Sequence, residues 1–415
     1  MENAEFKNGI KLIYKKVPGD ITSFCIGFNG GALEEEEFPL GTAHAVEHMV
    51  FKGTKNRSEK EINKLCDEIF GFQNAMTNYP YVIYYGTTLS EDFNLGIELF
   101  SDIVLNPIFP KDGFKEEINI ILEELKEWKD DLYQYCEDEL LYNAFDKGRI
   151  KNLIIGTEES INSITIEDLK RFYEKYYKPD NMVISVVTSL SFELVKDIVE
   201  NHFENFKTED KSLKSEELTI KNHTSVKLYE NNNPGVFVKL KEEINGAKIQ
   251  YCYPIHNLND EEMKALKLFN FYFGEGTSSI LYETIRTKNG LAYEISSDIK
   301  EERGIKLFTI TLGTSKNNVE KAIRLINESI EDIKNNKGFF TKEKIESASK
   351  SIKLKKALRL EKSIQLAKDL TCYEIMYNSY KKVYDEVENL NCIDGDKINR
   401  LINRVLNFPS IQVLR

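Results

Sequence analysis

The sequence predicts an α+β protein of two homologous α/β domains, each a mostly antiparallel sheet with helices on one face. Three observations support this prediction. At 415 residues the chain is too long for one ordinary core. Strand-like apolar runs alternate with helical patterns, which favours sheets covered by helices. The second half of the chain also repeats the order of elements found in the first.

A polar, charged segment near the middle of the chain marks a domain boundary. Residues 207–222 contain few large apolar side chains, which is typical of linkers. We therefore predict an N-terminal domain at 1–206, a linker at 207–222 and a homologous C-terminal domain at 223–415.

The two halves resemble each other in their pattern of elements. In the first half, a strand pattern at 81–88 is followed by a helical pattern at 91–105. In the second half, a strand pattern at 305–311 is followed by a helical pattern at 317–334. Self-similarity on this scale indicates duplicated domains, and two copies are too few for a solenoid.

Composition and charge restrict the classes of partner. The net charge of −12 argues against nucleic acid, because phosphate binding needs a basic patch. The sequence has neither a run of 18 apolar residues nor a secretory leader pattern, so no membrane partner is expected. The six cysteines are scattered without Cys-x-x-Cys pairs, which favours reduced thiols and a cytoplasmic location.

The strongest chemical signal is the segment His44-Ala45-Val46-Glu47-His48. On a helix, residues four apart lie on one face, so both imidazoles can reach one metal ion. Glu47 leans toward the same side, and a carboxylate beside a metal ion can act as the general base in hydrolysis.

Two histidines do not complete a catalytic zinc site, which usually has three protein ligands. The long helical pattern that begins at Phe114 offers five glutamates, namely Glu116, Glu117, Glu123, Glu124 and Glu127. Glu117 and Glu124 are seven residues apart and border the apolar stripe of Ile121, so both can point inward. Glu123 and Glu127 lie on a more polar face. Spacing alone leaves open a helix whose charges only face solvent.

The segment Gly41–Thr54 closely resembles the signature of the insulinase or pitrilysin type of metallopeptidase, which has the inverted zinc motif His-x-x-Glu-His. Asn74-Ala75-Met76-Thr77 resembles the strand that follows in that family, and the helix with Glu117 and Glu124 resembles the one that carries its third ligand. The resemblance implies a Zn²⁺ cofactor held by His44, His48 and Glu124, Glu47 as the catalytic residue, Glu117 as a supporting carboxylate, and Asn74 and Ala75 as substrate-binding residues.

The second half carries a further resemblance. Arg286 and Tyr293 resemble the pair that holds the substrate backbone and the developing oxyanion in this family. The length resembles the short branch of the family, which includes mitochondrial processing peptidase and bacterial relatives. In that branch two chains close like a clam, and the zinc of one chain faces the Arg/Tyr pair of the other.

The resemblance implies a zinc metalloendopeptidase that hydrolyses short or unfolded peptides, with the processing of a precursor peptide as one form of this activity. Because one chain carries both halves of the site, we predict a clam-shaped homodimer, with a heterodimer as the other arrangement. The alternative function is a non-catalytic or zinc-half subunit of a heterodimeric processing complex.

Overall fold

The structure is a computed structural model that describes residues 1–206, 229–242 and 244–415. The predicted linker at 207–222 lies outside the described residues, and the predicted domain bounds stay a prediction. The chain forms two compact units. The first unit contains Met1–Leu125, the described part of Leu153–Val226, and Leu358–Val383. The second contains Lys126–Asn152, the described part of Lys227–Ala357, and Tyr384–Arg415.

Each unit therefore includes a segment from the opposite half of the sequence. Lys126–Asn152 belongs to the second unit, and Leu358–Val383 belongs to the first. The similarity of the two halves did not predict this exchange.

The described residues form two sheets. The strands are β1 (Glu2–Glu5), β2 (Lys11–Lys16), β3 (Ile21–Phe28), β4 (Phe70–Thr77), β5 (Val82–Leu89), β6 (Met182–Thr188), β7 (Gly235–Lys239), β8 (Ala247–Pro254), β9 (Ala292–Glu302), β10 (Ile305–Thr314) and β11 (Ser410–Leu414). The first sheet has the order β1-β2-β6-β3-β5-β4, and the second has the order β7-β11-β8-β10-β9.

The α-helices of the described residues follow the predicted alternation with strands. They are α1 (Thr42–Val50), α2 (Glu59–Ile69), α3 (Phe93–Leu105), α4 (Phe114–Trp128), α5 (Leu132–Ala144), α6 (Glu158–Ser163), α7 (Ile166–Tyr176), α8 (Phe192–Phe203), α9 (Asp260–Phe273), α10 (Val319–Asn335), α11 (Lys342–Glu361), α12 (Ser363–Tyr377), α13 (Lys382–Asp385) and α14 (Gly395–Val405). Residues Tyr282–Lys288 form a π-helical segment.

The two sheets share one strand arrangement. Strands β2, β6, β3, β5 and β4 correspond in order to β7, β11, β8, β10 and β9. In each sheet one pair is parallel, β2 with β6 and β7 with β11, and the other pairs are antiparallel. The predicted fold class of two similar, mostly antiparallel α/β units is confirmed.

Helices cover both faces of the first sheet, whereas the sequence predicted helices on one face. Phe24 and Ile26 of β3 join the core beneath α1, α3 and α7. On the opposite face of β3, the hydroxyl of Thr371 in α12 donates to the Cys25 carbonyl oxygen. Every residue of β6 is buried, and a strand without a polar face needs cover on both sides.

No helix in the described part of the chain combines the length and apolar character that a membrane crossing requires.

Gly27 provides a test of how closely α12 packs on the sheet. A Cβ atom at Gly27 would lie 2.5 Å from Thr371 Cγ2 and 2.8 Å from Ile375 Cδ1. We expect Gly27→Val to lower the free energy of unfolding by about 1–3 kcal/mol through overpacking. Chemical denaturation would measure this change.

The matched control is Gly71→Val in β4, where the nearest atom to an added Cβ is the Thr87 carbonyl oxygen at 4.0 Å. We expect this control to change stability by less than about 0.5 kcal/mol. Equal effects of the two substitutions would contradict the close packing of α12.

Candidate metal centre

Helix α1 is fixed at its N-terminus by a glycine and a buried carboxylate. Gly41 precedes the helix with φ 92°, and a Cβ atom there would lie 2.2 Å from the Ile155 carbonyl oxygen. Only glycine fits this position. The Glu35 carboxylate accepts hydrogen bonds from the backbone N–H groups of Gly41 (3.1 Å) and Ala43 (2.8 Å). A negative charge at this end of a helix is favourable, so Glu35 anchors α1.

The apolar side of α1 sets the direction of its polar side chains. Val46 and Met49 are buried in the core of the first unit. His44, Glu47 and His48 consequently leave the helix on a common side. The rings of His44 and His48 are 4.5 Å apart between centroids.

The structure brings His44, His48 and Glu124 together. Glu124 Oε2 lies 3.7 Å from His44 Nε2 and 3.5 Å from His48 Nε2. One ligand atom from each of the three residues falls within a span of 4.8 Å. Two imidazoles and one carboxylate form a ligand set used by catalytic zinc sites, and these residues fit such an ion.

Glu117 occupies the opposite side of the His48 ring. His48 Nδ1 and Glu117 Oε1 are 2.8 Å apart, so the Nδ1–H group donates to the carboxylate and Nε2 faces Glu124. Lys52 Nζ contacts Glu117 Oε2 at 2.5 Å and compensates its buried charge. Such a carboxylate fixes the tautomer and orientation of a metal-binding histidine.

The two histidines differ in their affinity for a proton. Burial, with a smaller contribution from His48, lowers the pKa of His44 to about 4. Burial also disfavours the charged form of His48, but the hydrogen bonds that its ring donates to the Glu117 and Glu124 carboxylates outweigh this effect and raise its pKa to about 9. Because only neutral imidazole binds a metal, metal binding has to displace the proton of His48.

Glu47 is a buried carboxyl group beside the ligand cluster. Burial raises the pKa of Glu47 to about 7, while the hydrogen bond from Thr77 opposes this shift. The Thr77 hydroxyl donates to Glu47 Oε2 at 2.5 Å and orients the carboxylate. A carboxyl group with a pKa near neutrality can both accept and release a proton, as a general base and acid must.

Asn74 and Ala75 lie in β4, the strand at the edge of the first sheet. The side of β4 away from β5 pairs with no other strand of the described residues. An edge of this kind can add an extended peptide as a further strand.

Arg286 and Tyr293 lie in the second unit. Arg286 belongs to the π-helical segment, and its guanidinium group lies 4.7 Å from the centre of the Tyr282 ring. Tyr293 belongs to β9 and is 88% exposed. The two residues line one pocket of about 660 Å³, together with Tyr133 and Lys248.

Sequence reasoning missed three residues that support the cluster. Lys52 is four residues after His48, a spacing that could have placed it on the same face. Thr77 ends the Asn74–Thr77 segment, but its contact with Glu47 depends on the pairing of distant elements. Glu35 is one of four consecutive glutamates, and the sequence does not show which of them turns toward α1.

Comparison with known families covers both halves of the chain. Residues 12–158 match the model of the insulinase family, peptidase family M16, and residues 163–352 match that of the peptidase M16 inactive domain. The chain belongs to the insulinase family, M16. The resemblance drawn from the motif is therefore confirmed at the level of the family.

Curated relatives include bacterial proteins of similar length. An uncharacterized zinc protease of Bacillus subtilis is 27% identical over 406 residues, which cover 96% of this chain and 94% of that protein. An uncharacterized zinc protease of Rickettsia felis is 28% identical and covers 76% of this chain and 74% of its own. The mitochondrial-processing peptidase subunit beta of Dictyostelium discoideum is 30% identical over 48% of this chain and 43% of its own.

Solved structures agree with the fold. A protease from Helicobacter pylori superposes with a TM-score of 0.88 at 22% identity, covering 100% of this chain and 99% of that one. A peptidase M16 inactive domain from Pseudomonas fluorescens gives 0.84 at 16% identity, covering 100% and 97%. At these identities the similarity establishes the M16 fold alone.

The position of Glu117 behind His48 leads to a measurable expectation. We expect Glu117→Ala to weaken Zn²⁺ binding by about 10- to 100-fold, because the His48 ring loses the group that orients it. Competition with a chromophoric chelator would measure the affinity. Glu116→Ala is the matched control, since Glu116 is an exposed neighbour on the same helix. Equal affinity in the two variants would contradict the supporting role of Glu117.

Proposed function

We propose that this M16 family member is a zinc metalloendopeptidase that hydrolyses peptide bonds in short or unfolded peptides, including the processing of precursor peptides. The observation that carries the proposal is the placement of Glu47 beside the cluster of His44, His48 and Glu124. The relatives named zinc proteases support the choice of metal.

In this proposal the side chains of the first unit bind the metal and move protons. A bound zinc ion would supply Lewis-acid activation of water and of the scissile carbonyl group. Glu47 accepts the proton of the attacking water and passes it to the leaving amine. Thr77 holds the Glu47 carboxylate in position, and Glu117 holds His48.

Two further groups bind the substrate in this proposal. The backbone of Asn74 and Ala75, at the open edge of β4, pairs with an extended peptide. Arg286 and Tyr293 stabilise the substrate backbone and the oxyanion, since a cation and a phenol can both donate hydrogen bonds to developing negative charge. The exposure of Tyr293 leaves its hydroxyl accessible to a peptide.

We also propose a homodimer in which the Arg286 and Tyr293 of one chain complete the metal site of the other. The presence of both groups in one sequence supports this arrangement. None of the six cysteines forms a disulfide, which supports a reducing compartment such as the cytoplasm.

The alternative is a non-catalytic or zinc-half subunit of a heterodimeric processing complex. The relatives named as subunit beta of mitochondrial-processing peptidase favour it. So does the match of residues 163–352 to a domain described as inactive.

The role of Glu47 can be separated from metal binding. We expect Glu47→Gln to retain about one zinc per chain, since Glu47 is not a ligand. Cleavage of a quenched peptide library should fall by about 10²- to 10⁴-fold with loss of the general base. Glu36→Gln, at an exposed position, is the control. Cleavage by zinc-loaded Glu47→Gln at the wild-type rate would rule out the proposed mechanism.

Complementation between two inactive variants tests the shared site. One variant carries Glu47→Gln, and the other carries Arg286→Ala with Tyr293→Phe. We expect their co-expression to restore about a quarter of wild-type activity, because half of the randomly formed dimers are mixed and each mixed dimer has one intact site. No recovery in verified mixed dimers would show that each site is built from one chain. An inactive wild-type monomer would favour the heterodimeric alternative.

A further inference from the structure

The first unit contains a helix over one end of its sheet. Helix α8 packs against α3 and β2, and its Val195 and Val199 are fully buried. The Phe192 ring contacts the Tyr14 ring of β2 at a centroid distance of 5.3 Å. Under this cover Leu12 and Tyr14 of β2 are 0% and 1% exposed.

The corresponding surface of the second unit is a groove. Strand β7 corresponds to β2 by sheet order, and α10 follows β10 as α3 follows β5. Val236 and Val238 of β7 take the places of Leu12 and Tyr14 in the register with the neighbouring parallel strand. They are 54% and 51% exposed, since no helix of the described residues covers them.

The groove has the apolar floor of a helix-binding site. Its volume is about 680 Å³, and its floor includes Val236, Val238 and Val413 from the sheet and Val319 and Ile323 from α10. The first unit shows that such a surface can bind a helix, because α8 covers the equivalent place there with apolar side chains from one helical face.

The walls of the groove are acidic. Glu320, Glu328, Glu331 and Asp332 line it together with Arg324 and Arg415. Both arginines already pair with carboxylates of the groove, Arg324 with Glu328 at 3.8 Å and Arg415 with Glu320 at 3.2 Å. Glu331 pairs in turn with Lys334 at 2.8 Å. The four wall carboxylates still exceed these three cations by one, and this net negative charge favours a ligand with positive charges beside its apolar face.

We propose that this groove binds an amphipathic helix of a partner protein. The apolar face of that helix packs on Val236, Val238 and Ile323, and basic residues along its sides meet the acidic walls. In the first unit, α8 of the same chain makes these contacts. In the second unit, a helix of the partner protein makes them.

A peptide derived from α8 is a suitable probe. The probe is residues 190–206 with Glu193, Asp197 and Glu200 replaced by lysine, which keeps the apolar face and makes the sides basic. The unmodified sequence is the control peptide. Anisotropy of the labelled peptides would be measured on the zinc-loaded Glu47→Gln protein, so that the probe is not cleaved.

We expect the lysine peptide to bind more tightly than the unmodified peptide, with a difference that shrinks at high salt. The double substitution Val236→Asp and Val238→Asp should weaken its binding by at least about tenfold, because carboxylates then have to be buried against the apolar face. Leu354→Asp, at an exposed leucine outside the groove, should bind as the parent protein does.

A charge-reversed variant distinguishes a specific loss of binding from misfolding of the Val236/Val238 variant. Glu328→Lys with Asp332→Lys should reverse the preference, so that the unmodified peptide binds more tightly than the lysine peptide. Unchanged binding of the lysine peptide to the Val236/Val238 variant would overturn the proposal, as would equal affinities for the two peptides. Sedimentation could also show that the wild type is a dimer and the Val236/Val238 variant a monomer. This result would overturn the proposal and indicate that the groove is a contact between two copies of the chain.

Discussion

The burial of helix α1 is the constraint on which the candidate site depends. Val46 and Met49 fix one side of the helix in the core, and Glu35 fixes its first turn. His44 and Glu47 are almost fully buried as a consequence, and buried polar groups are costly unless they find partners. Glu47 accepts a hydrogen bond from Thr77, and His44 Nε2 lies 3.7 Å from Glu124, whereas His44 Nδ1 has no hydrogen-bond partner among the described residues.

Helix α4 supplies the complementary half of this arrangement. Glu117 and Glu124 are two helical turns apart, so they lie on one face about 10 Å from each other along the axis. The His48 ring fits between them, with Nδ1 at Glu117 and Nε2 near Glu124. One helix therefore provides both the carboxylate that lies near the Nε2 atoms of the two histidines and the carboxylate that orients His48. Glu123 and Glu127 of the same helix are exposed.

The sequence was most informative where function depends on local spacing. The His44–His48 spacing predicted two imidazoles on one helical face, and the repeated order of elements predicted two similar units. The apolar stripe of α4 reduced the candidates for the third ligand from five glutamates to Glu117 and Glu124. The resemblance to the family then assigned a separate role to each of these two residues. The sequence could not predict contacts between distant elements. Examples are the hydrogen bond from Thr77 to Glu47 and the hydrogen bonds from the first turn of α1 to Glu35. The mostly apolar run of β6 did carry a signal for burial on both faces, and α12 covers the second face.

The most direct test of this account is the position of the metal. Crystals grown with zinc and measured on both sides of the zinc absorption edge would show the ion as an anomalous difference peak. The account predicts one peak in the first unit, about 2.0–2.2 Å from His44 Nε2, His48 Nε2 and a Glu124 carboxylate oxygen. A peak at other residues, or no peak in crystals of protein shown to contain zinc, would contradict it.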